Sequence, residues 1–140
     1  MRTCLLIKPD GVSKRLVGKV LSRFEEEGFA VAALRVLPPD RAFLESFYSM
    51  HRGKPFFGPF LEFMLEGPSV AAVLEREDAV ARCRKIIGAT DPGSAEPGTL
   101  RALFGTDNRR NLVHASDSAE SARREIEILF AGEELETAKI

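Results

Sequence analysis

Apolar residues follow two different periods along the chain, and the change of period separates candidate strands from candidate helices. Compact apolar runs that end near glycine or proline are typical of buried strands, and the sequence has three of them, at residues 3–8, 29–37 and 69–74. A shorter run at residues 112–115 leaves room for a fourth strand. The pattern therefore predicts four strands distributed over the chain.

Apolar residues at helical spacing fill the intervals between these strands. They predict helices from about residue 16 to Gly28, from an N-cap at Asp40 through residue 48, and over residues 56–65 and 78–87. A last helix is predicted from Asp117 to Phe130, with Glu120 completing a capping box. Residues 89–98 contain two Pro and two Gly and are predicted to form a loop, and the polar residues 131–140 a loosely attached tail.

The order of these elements is strand, helix, strand, helices, strand, helix, strand, helix. This order is typical of an α+β split βαβ sandwich, the ferredoxin-like arrangement, with a four-stranded antiparallel sheet and helices packed on one face. The same order also fits a small flavodoxin-like domain, so it leaves both folds open. The chain has 140 residues, and we expect a single domain over residues 1–140.

Composition and charge narrow the classes of function. The formal net charge of −1 argues against long-range attraction to nucleic acid or to an anionic membrane. The apolar run at residues 4–7 is too short for a signal peptide or a membrane span. Cys4 and Cys83 lack zinc-ligand spacing, and unpaired cysteines fit a reducing compartment. We therefore expect a cytoplasmic protein in which a local basic cluster would bind any phosphate.

His114 is the candidate nucleophile. It stands between an apolar pair and a polar turn that opens the last predicted helix. A helix N-terminus offers free N–H groups and the positive end of a dipole, which favour a phosphate. A neutral imidazole can form a covalent intermediate at physiological pH. Judged from its neighbours alone, a hydrogen-bonded histidine at a strand end is nevertheless the more common case.

Three basic residues and one threonine elsewhere in the chain could bind a phosphate. Lys8, Arg84, Thr90 and Arg101 are the candidates, because phosphoryl transfer depends mainly on positioning and charge neutralisation. Each arginine taken singly is more often a surface residue. The sequence contains no Walker A pattern, which excludes a P-loop.

Aromatic and acidic side chains add further candidates. Tyr48, Phe56 and Phe60 have spacing that usually means core packing, but one exposed ring could stack on a nucleobase. Glu125 borders the apolar face of the last predicted helix, where a carboxylate either reaches water or orients a neighbour. Exposure to water is the usual outcome for such a carboxylate.

Six short blocks occur in order along the chain and carry a resemblance. They are Lys8-Pro-Asp-Gly11, Gly53-Lys-Pro-Phe-Phe57, Gly67-Pro68, Gly88-Ala-Thr-Asp-Pro92, Pro97-Gly-Thr-Leu-Arg101 and Asn111-Leu-Val-His-Ala-Ser-Asp117. Together they make the sequence resemble the nucleoside diphosphate kinase family over about residues 2–130. The resemblance implies transfer of the γ-phosphate of a nucleoside triphosphate to a nucleoside diphosphate by a ping-pong mechanism.

The resemblance also implies a chemical centre. His114 would be phosphorylated, and Glu125 would accept a hydrogen bond from its other ring nitrogen. Ser116 would help to hold that glutamate, with Ser118 close by. Tyr48 would lie near the phosphate on the histidine.

The remaining implied roles concern the nucleotide and its cation. Three residues would bind the phosphates: Arg84, Thr90 and Arg101. Lys8 and Asn111 would bond the ribose hydroxyls, and Phe56 would stack on the base. Asp117 would lie near Mg²⁺, the implied cofactor, through water. The implied partners are nucleoside triphosphates and diphosphates and further copies of the chain in a homotetramer or homohexamer, with no membrane and no specific nucleic acid.

The chain departs from the usual family pattern at several positions. Ala115 replaces the glycine that commonly follows the nucleophile, and Ala102-Leu103 stands where Gly-Asp is more usual. Phe60 and Asn108 occupy commonly aliphatic positions near the base. None of these changes removes a group that the chemistry needs.

Two other classes of function fit parts of the sequence. A non-catalytic nucleotide-binding or scaffold protein would be expected to lose His114, Lys8 or Arg101, and all three are present. An RNA binder of the RRM type needs aromatic residues on its central strands, and the predicted strands 3–8 and 69–74 have none. The enzyme is therefore the favoured interpretation.

Overall fold

The four strands form one antiparallel sheet in the computed structural model, which describes residues 1–130. They are β1 (Arg2–Ile7), β2 (Ala30–Leu37), β3 (Ser69–Glu75) and β4 (Val113–Ala115). Their order in the sheet is β2-β3-β1-β4, so the two central strands are β1 and β3. This is the ferredoxin-like α+β arrangement, and the flavodoxin-like alternative is excluded because every pairing is antiparallel.

The described residues form seven α-helices, six between strands and the last one after β4. They are α1 (Pro9–Ser13), α2 (Val17–Glu26), α3 (Arg41–Phe47), α4 (Phe57–Met64), α5 (Ala79–Ile87), α6 (Leu100–Phe104) and α7 (Ala119–Leu129). The sequence pattern missed α1 and α6, whose five residues are too few to show a helical period. The predicted loop at residues 89–98 holds a 3-10 turn at Pro92–Ser94, and the predicted tail lies outside the described residues.

The prediction that helices cover one face of the sheet is wrong. Successive residues of β1 point to opposite faces, and both sets are buried: Leu5 and Ile7 pack in one hydrophobic cluster, Cys4 and Leu6 in another. The first cluster includes residues of α2 and α5, and the second includes residues of α3, α4 and α7. The uninterrupted apolar run of β1 is the sequence signal of a strand buried on both sides.

The start of the last helix also differs from the prediction. Asp117 was expected to cap it, but Ser118 is the N-cap, and its hydroxyl accepts the backbone N–H of Ser121 at 3.0 Å. A serine oxygen satisfies one of the free N–H groups of the first turn in this position. Asp117 therefore lies one residue before the N-cap and is exposed. No helix within residues 1–130 is long and apolar enough to cross a membrane.

Candidate active site

His114 lies in the middle of β4, at an edge of the sheet. It pairs with Leu6 of β1, and antiparallel partners point to the same face, so the imidazole faces the layer that contains α3 and α7. There it contacts two aromatic rings edge-on, with centroid distances of 5.4 Å to Phe47 and 5.5 Å to Tyr48. The strand and the two rings fix the orientation of the imidazole, whose side chain is 21% exposed.

A buried carboxylate holds one ring nitrogen of His114. Nε2 lies 2.9 Å from Oε1 of Glu125, which comes from α7 and is 2% exposed. The same oxygen accepts the hydroxyl hydrogen of Ser116 at 2.8 Å, and the backbone N–H of Cys4 donates to that hydroxyl oxygen at 3.4 Å. An ionised carboxylate only accepts hydrogen bonds, so Nε2 carries the proton and the lone pair of a neutral imidazole resides on Nδ1.

The side chain of His114 lines a cavity of about 600 Å³. Its walls bring together most residues singled out in the sequence, namely Lys8, Tyr48, Phe56, Phe60, Arg84, Thr90, Arg101, Asn108, Asn111, His114, Ala115, Asp117 and Glu125. Ser116 is fully buried behind Glu125 and does not line the cavity. The size is that of a small-molecule site, and most of the lining side chains are polar or charged, which suits a charged ligand.

Lys8 and Asn111 form a buried pair on one wall. The ammonium of Lys8 donates to Oδ1 of Asn111 at 2.7 Å and lies 5.5 Å from the centroid of the Phe60 ring. The Asn111 amide group donates in turn to the carbonyls of Thr90 and Asn108. Burial, and next the charge of Arg101, lower the pKa of Lys8 to about 8. Lys8 therefore loses its proton much more readily than an exposed lysine.

Arg101 lines the cavity and also donates hydrogen bonds to the backbone around His114. Its guanidinium donates to the carbonyl oxygens of Asn111, Gly88 and Val113 at distances of 3.2, 3.0 and 2.8 Å. Burial, and next the charge of Arg84, lower the pKa of Arg101 to about 10. A guanidinium has five N–H groups, so two remain for an anion in the cavity.

Three further candidate residues lie at the exposed rim. They are Arg84 on α5, Thr90 in the following loop and Asp117 before α7. A hydrogen bond from the Ser121 side chain lowers the pKa of Asp117, so this carboxylate is ionised at neutral pH. Within residues 1–130 no group of three or more His, Cys, Asp or Glu side chains is arranged to hold a metal.

Aromatic rings form the opposite wall. Phe56 is 45% exposed, which is unusual for so large an apolar side chain, whereas Tyr48 is buried. The Tyr48 hydroxyl has no hydrogen-bond partner among residues 1–130, and burial raises the pKa of Tyr48 well above its ordinary value. An exposed ring and an unpaired buried hydroxyl are both groups that a ligand in the cavity could satisfy.

The structure adds residues that the sequence interpretation missed. His51 lines the cavity between Tyr48 and Phe56, and Met50, Arg109 and Ser121 also contribute to the walls. Burial, and then the charge of Lys54, lower the pKa of His51. Its place two residues before the Gly53 block was the only signal in the sequence that could have indicated His51.

The positions that depart from the family pattern fall into two groups. Phe60 and Asn108 line the cavity, and Ala115 joins them beside His114. Ala115 does not have a positive φ, so its methyl group needs no glycine-like backbone there. Ala102 and Leu103 are exposed on α6 and do not line the cavity.

Comparison with known proteins identifies a family. A family model described as nucleoside diphosphate kinase matches residues 1–135. The nucleoside diphosphate kinase of Desulforamulus reducens is 48% identical over 134 residues, covering 96% of this chain and 90% of the relative. That of Anaeromyxobacter sp. strain K is 50% identical, covering 92% of this chain and 88% of the relative. These matches extend over nearly the full length of both partners.

Solved structures agree with the sequence comparison. A crystal structure of the Aquifex aeolicus nucleoside diphosphate kinase superposes with a TM-score of 0.90 at 48% identity, covering 94% of this chain and 95% of the other. The enzyme from Encephalitozoon cuniculi superposes with a TM-score of 0.93 at 38% identity, covering 99% and 93%. The sheet order and helical layers described above are therefore shared with solved structures.

Proposed function

The chain belongs to the nucleoside diphosphate kinase family, and we propose that its phosphate transfer passes through His114. It is an enzyme that moves phosphate between nucleoside triphosphates and diphosphates. The observation that carries the proposal is the bond of 2.9 Å between Nε2 of His114 and the buried carboxylate of Glu125. That bond leaves Nδ1 as the nucleophilic atom, in a cavity that also holds several cationic side chains.

The proposed reaction has two mirrored steps. The Nδ1 lone pair of His114 forms a bond to the γ-phosphorus of a nucleoside triphosphate. The bond from that phosphorus to the β-bridging oxygen breaks, and the diphosphate leaves with the electron pair. The phosphorylated imidazole keeps its Nε2 proton and gains positive charge, which the carboxylate of Glu125 stabilises through the existing hydrogen bond. A second diphosphate then attacks the same phosphorus and restores the histidine.

Phosphate binding is assigned to the cationic side of the cavity. Arg84 and Thr90 lie at the rim, and Arg101 lies deeper beside the backbone of β4. The free N–H groups of these arginines would neutralise the charge that spreads over the transferred oxygens. The buried hydroxyl of Tyr48 would donate to the phosphate once His114 carries it.

Nucleoside binding is assigned to the opposite side. Lys8 and Asn111 already contact each other at 2.7 Å, and ribose hydroxyls can donate to the amide oxygen and accept from the ammonium. The exposed ring of Phe56 would stack on the base. Stacking does not choose among bases, which suits an enzyme whose donor and acceptor differ.

Mg²⁺ is the proposed cofactor, and the residues present fit it. Asp117 offers an ionised carboxylate on the cavity wall. Mg²⁺ is commonly bound by one or two carboxylates together with substrate phosphates and water, so a dedicated cluster of acidic residues is not required. When bound, the ion neutralises phosphate charge, and Asp117 would hold it through water.

Assembly and location complete the proposal. Leu34 and Val36 lie on β2, an edge strand of the sheet formed by residues 1–130, and are 53% and 65% exposed. This exposure supports self-association, for which we propose a homotetramer or homohexamer. The two cysteines among residues 1–130 are free and buried, which suits the reducing cytoplasm.

The deciding experiment is incubation with γ-labelled ATP and Mg²⁺. We expect an acid-labile, alkali-stable label on the protein that any nucleoside diphosphate discharges, and no label on His114→Ala. The matched control is His51→Ala, which alters the other histidine of the cavity and is expected to retain the label. An unlabelled wild-type protein, or equal labelling of His114→Ala, would contradict the assignment.

A further inference from the structure

Leu112, two residues before His114, has a backbone conformation that leucine rarely adopts. Its φ is 80°, in the region that favours glycine. Arg15 and Asp78 also have positive φ among the described non-glycine residues, but both are exposed, whereas Leu112 is fully buried. Such a conformation persists only where the surrounding structure fixes it.

A γ-turn centred on Leu112 accounts for this geometry. The backbone N–H of Val113 donates to the carbonyl of Asn111 at 3.0 Å, a bond that spans two residues. The turn separates Asn111, which contacts Lys8, from the strand that carries His114. It therefore connects the nucleoside side of the cavity to the chemical centre.

The N–H and the carbonyl of Leu112 both form hydrogen bonds with residues of the segment after β1. The N–H of Leu112 donates to Oδ2 of Asp10 at 3.0 Å, and its carbonyl accepts the backbone N–H of Lys8 at 2.9 Å. Asp10 is 7% exposed. A Cβ at Gly11 would lie only 2.9 Å from Cδ1 of Leu112, so a glycine lets the two segments approach.

His114 is held independently of this turn. It pairs with Leu6 in the sheet and bonds to Glu125 at 2.9 Å. Asn111 is the residue directly before the turn, so the conformation of Leu112 sets its position relative to Lys8 together with its bonds to Thr90, Asn108 and Arg101. Release of the turn would displace Asn111 while leaving the nucleophile in place.

We propose that Asp10 is a positioning residue: by accepting the Leu112 N–H it holds the γ-turn and thereby sets Asn111 for nucleotide binding. The inference rests on the proposed function, because it takes Asn111 as a nucleotide ligand and His114 as the nucleophile. Asp10 acts through the turn and does not line the cavity. Its loss should therefore weaken nucleotide binding more than it slows the chemical step.

The test is single-turnover phosphorylation of His114 by labelled ATP in the full-length protein. Asp10→Ala is expected to raise the half-saturating ATP concentration by roughly tenfold or more, with the maximal rate changed by less than about threefold. Asp10→Asn keeps a side-chain oxygen that can accept the Leu112 N–H but removes a charge that favours the ammonium form of Lys8. It is therefore expected to bind ATP like the wild type when the assay is run at about pH 6, where Lys8 keeps its proton. The matched control is Asp40→Ala. It removes the hydrogen bond of 3.2 Å that the backbone N–H of Phe43 donates to the side chain of another aspartate, Asp40.

Several outcomes would overturn the inference. One is a fall in the maximal rate of Asp10→Ala with an unchanged half-saturating ATP concentration. Another is that Asp10→Asn binds ATP as weakly as Asp10→Ala. A third is that Asp10→Ala binds ATP no more weakly than Asp40→Ala. If wild-type protein takes no label, the proposed function fails as well; if it labels normally, only the inference is at stake.

Hydrogen exchange on the wild-type protein gives a second test that needs no substitution. The Leu112 amide is fully buried and bonded to Asp10, although it belongs to a turn. It should therefore exchange as slowly as the paired amides of β1. Exchange as fast as that of the exposed Asn108 would contradict the role proposed for Asp10.

Discussion

At the scale of single residues, burial gives similar side chains different roles. Lys8 and Arg101 are both cations, but Lys8 bonds a side chain of the cavity while Arg101 donates to three backbone carbonyls. Glu125 illustrates the same point: its sequence position favoured exposure to water, yet the side chain is buried and holds His114. The spacing of residues along α7 could not reveal this contact, because the partners of Glu125 are His114 on β4 and Ser116 directly after β4.

A pH profile tests the role of Lys8. Burial lowers its pKa to about 8, whereas that of Arg101 is about 10. Only the ammonium form attracts an anionic nucleotide, so kcat/KM should fall above the pKa of Lys8 and level off near the value of a protein without this charge. Lys8→Gln should give a lower kcat/KM that stays flat from about pH 7 to about pH 9.5. An equal decline in both proteins would assign the titration to another group.

A loss of folded protein would not explain the expected fall of kcat/KM at high pH. Lys8 has a lowered pKa in the folded protein, so between about 8 and the ordinary value of 10.5 the unfolded chain binds more protons than the folded one. The contribution of Lys8 to the free energy of unfolding therefore rises with pH over this interval. Thermal unfolding measured alongside the kinetics separates the two effects.

At the scale of elements, the sequence predicted the helices and strands that are long enough to show a period. The strands, α2, α5 and the other long helices agree with the prediction to within a few residues. The sequence pattern missed the five-residue helices α1 and α6. Proline and glycine were interpreted as the ends of elements, although Pro9 is the first residue of α1. The pattern also could not show that helices cover both faces of the sheet, because two-sided burial depends on tertiary packing.

Ser118 provides a test at this scale, because it caps the helix that presents Glu125. Ser118→Ala should lower the free energy of unfolding by about 1 kcal/mol, and Ser118→Asp, with another good capping side chain, should restore it. Urea unfolding followed by circular dichroism measures both. A larger loss in Asp117→Ala than in Ser118→Ala would instead make Asp117 the cap, as the sequence pattern had indicated.

At the scale of the whole molecule, the sheet formed by residues 1–130 has one long edge without a partner strand among those residues. β2 pairs with β3 on one side only, and a bulge between Val31 and Ala33 interrupts that pairing. The outer end of the strand exposes two apolar side chains, Leu34 and Val36, on the same face. An exposed apolar edge strand is a template for pairing with another chain, so we expect it to be covered in solution.

A second copy of the chain is the simplest cover for this edge. Two copies of β2 related by a twofold axis run antiparallel, so the same residues would serve both partners in a closed dimer. Val36→Glu would place a carboxylate of each copy in this contact and should shift the protein to smaller species, measured by size-exclusion chromatography with light scattering. Val36→Thr keeps the β-branched shape and should assemble normally. If the glutamate variant retains the wild-type mass, the contact between copies lies elsewhere on the surface.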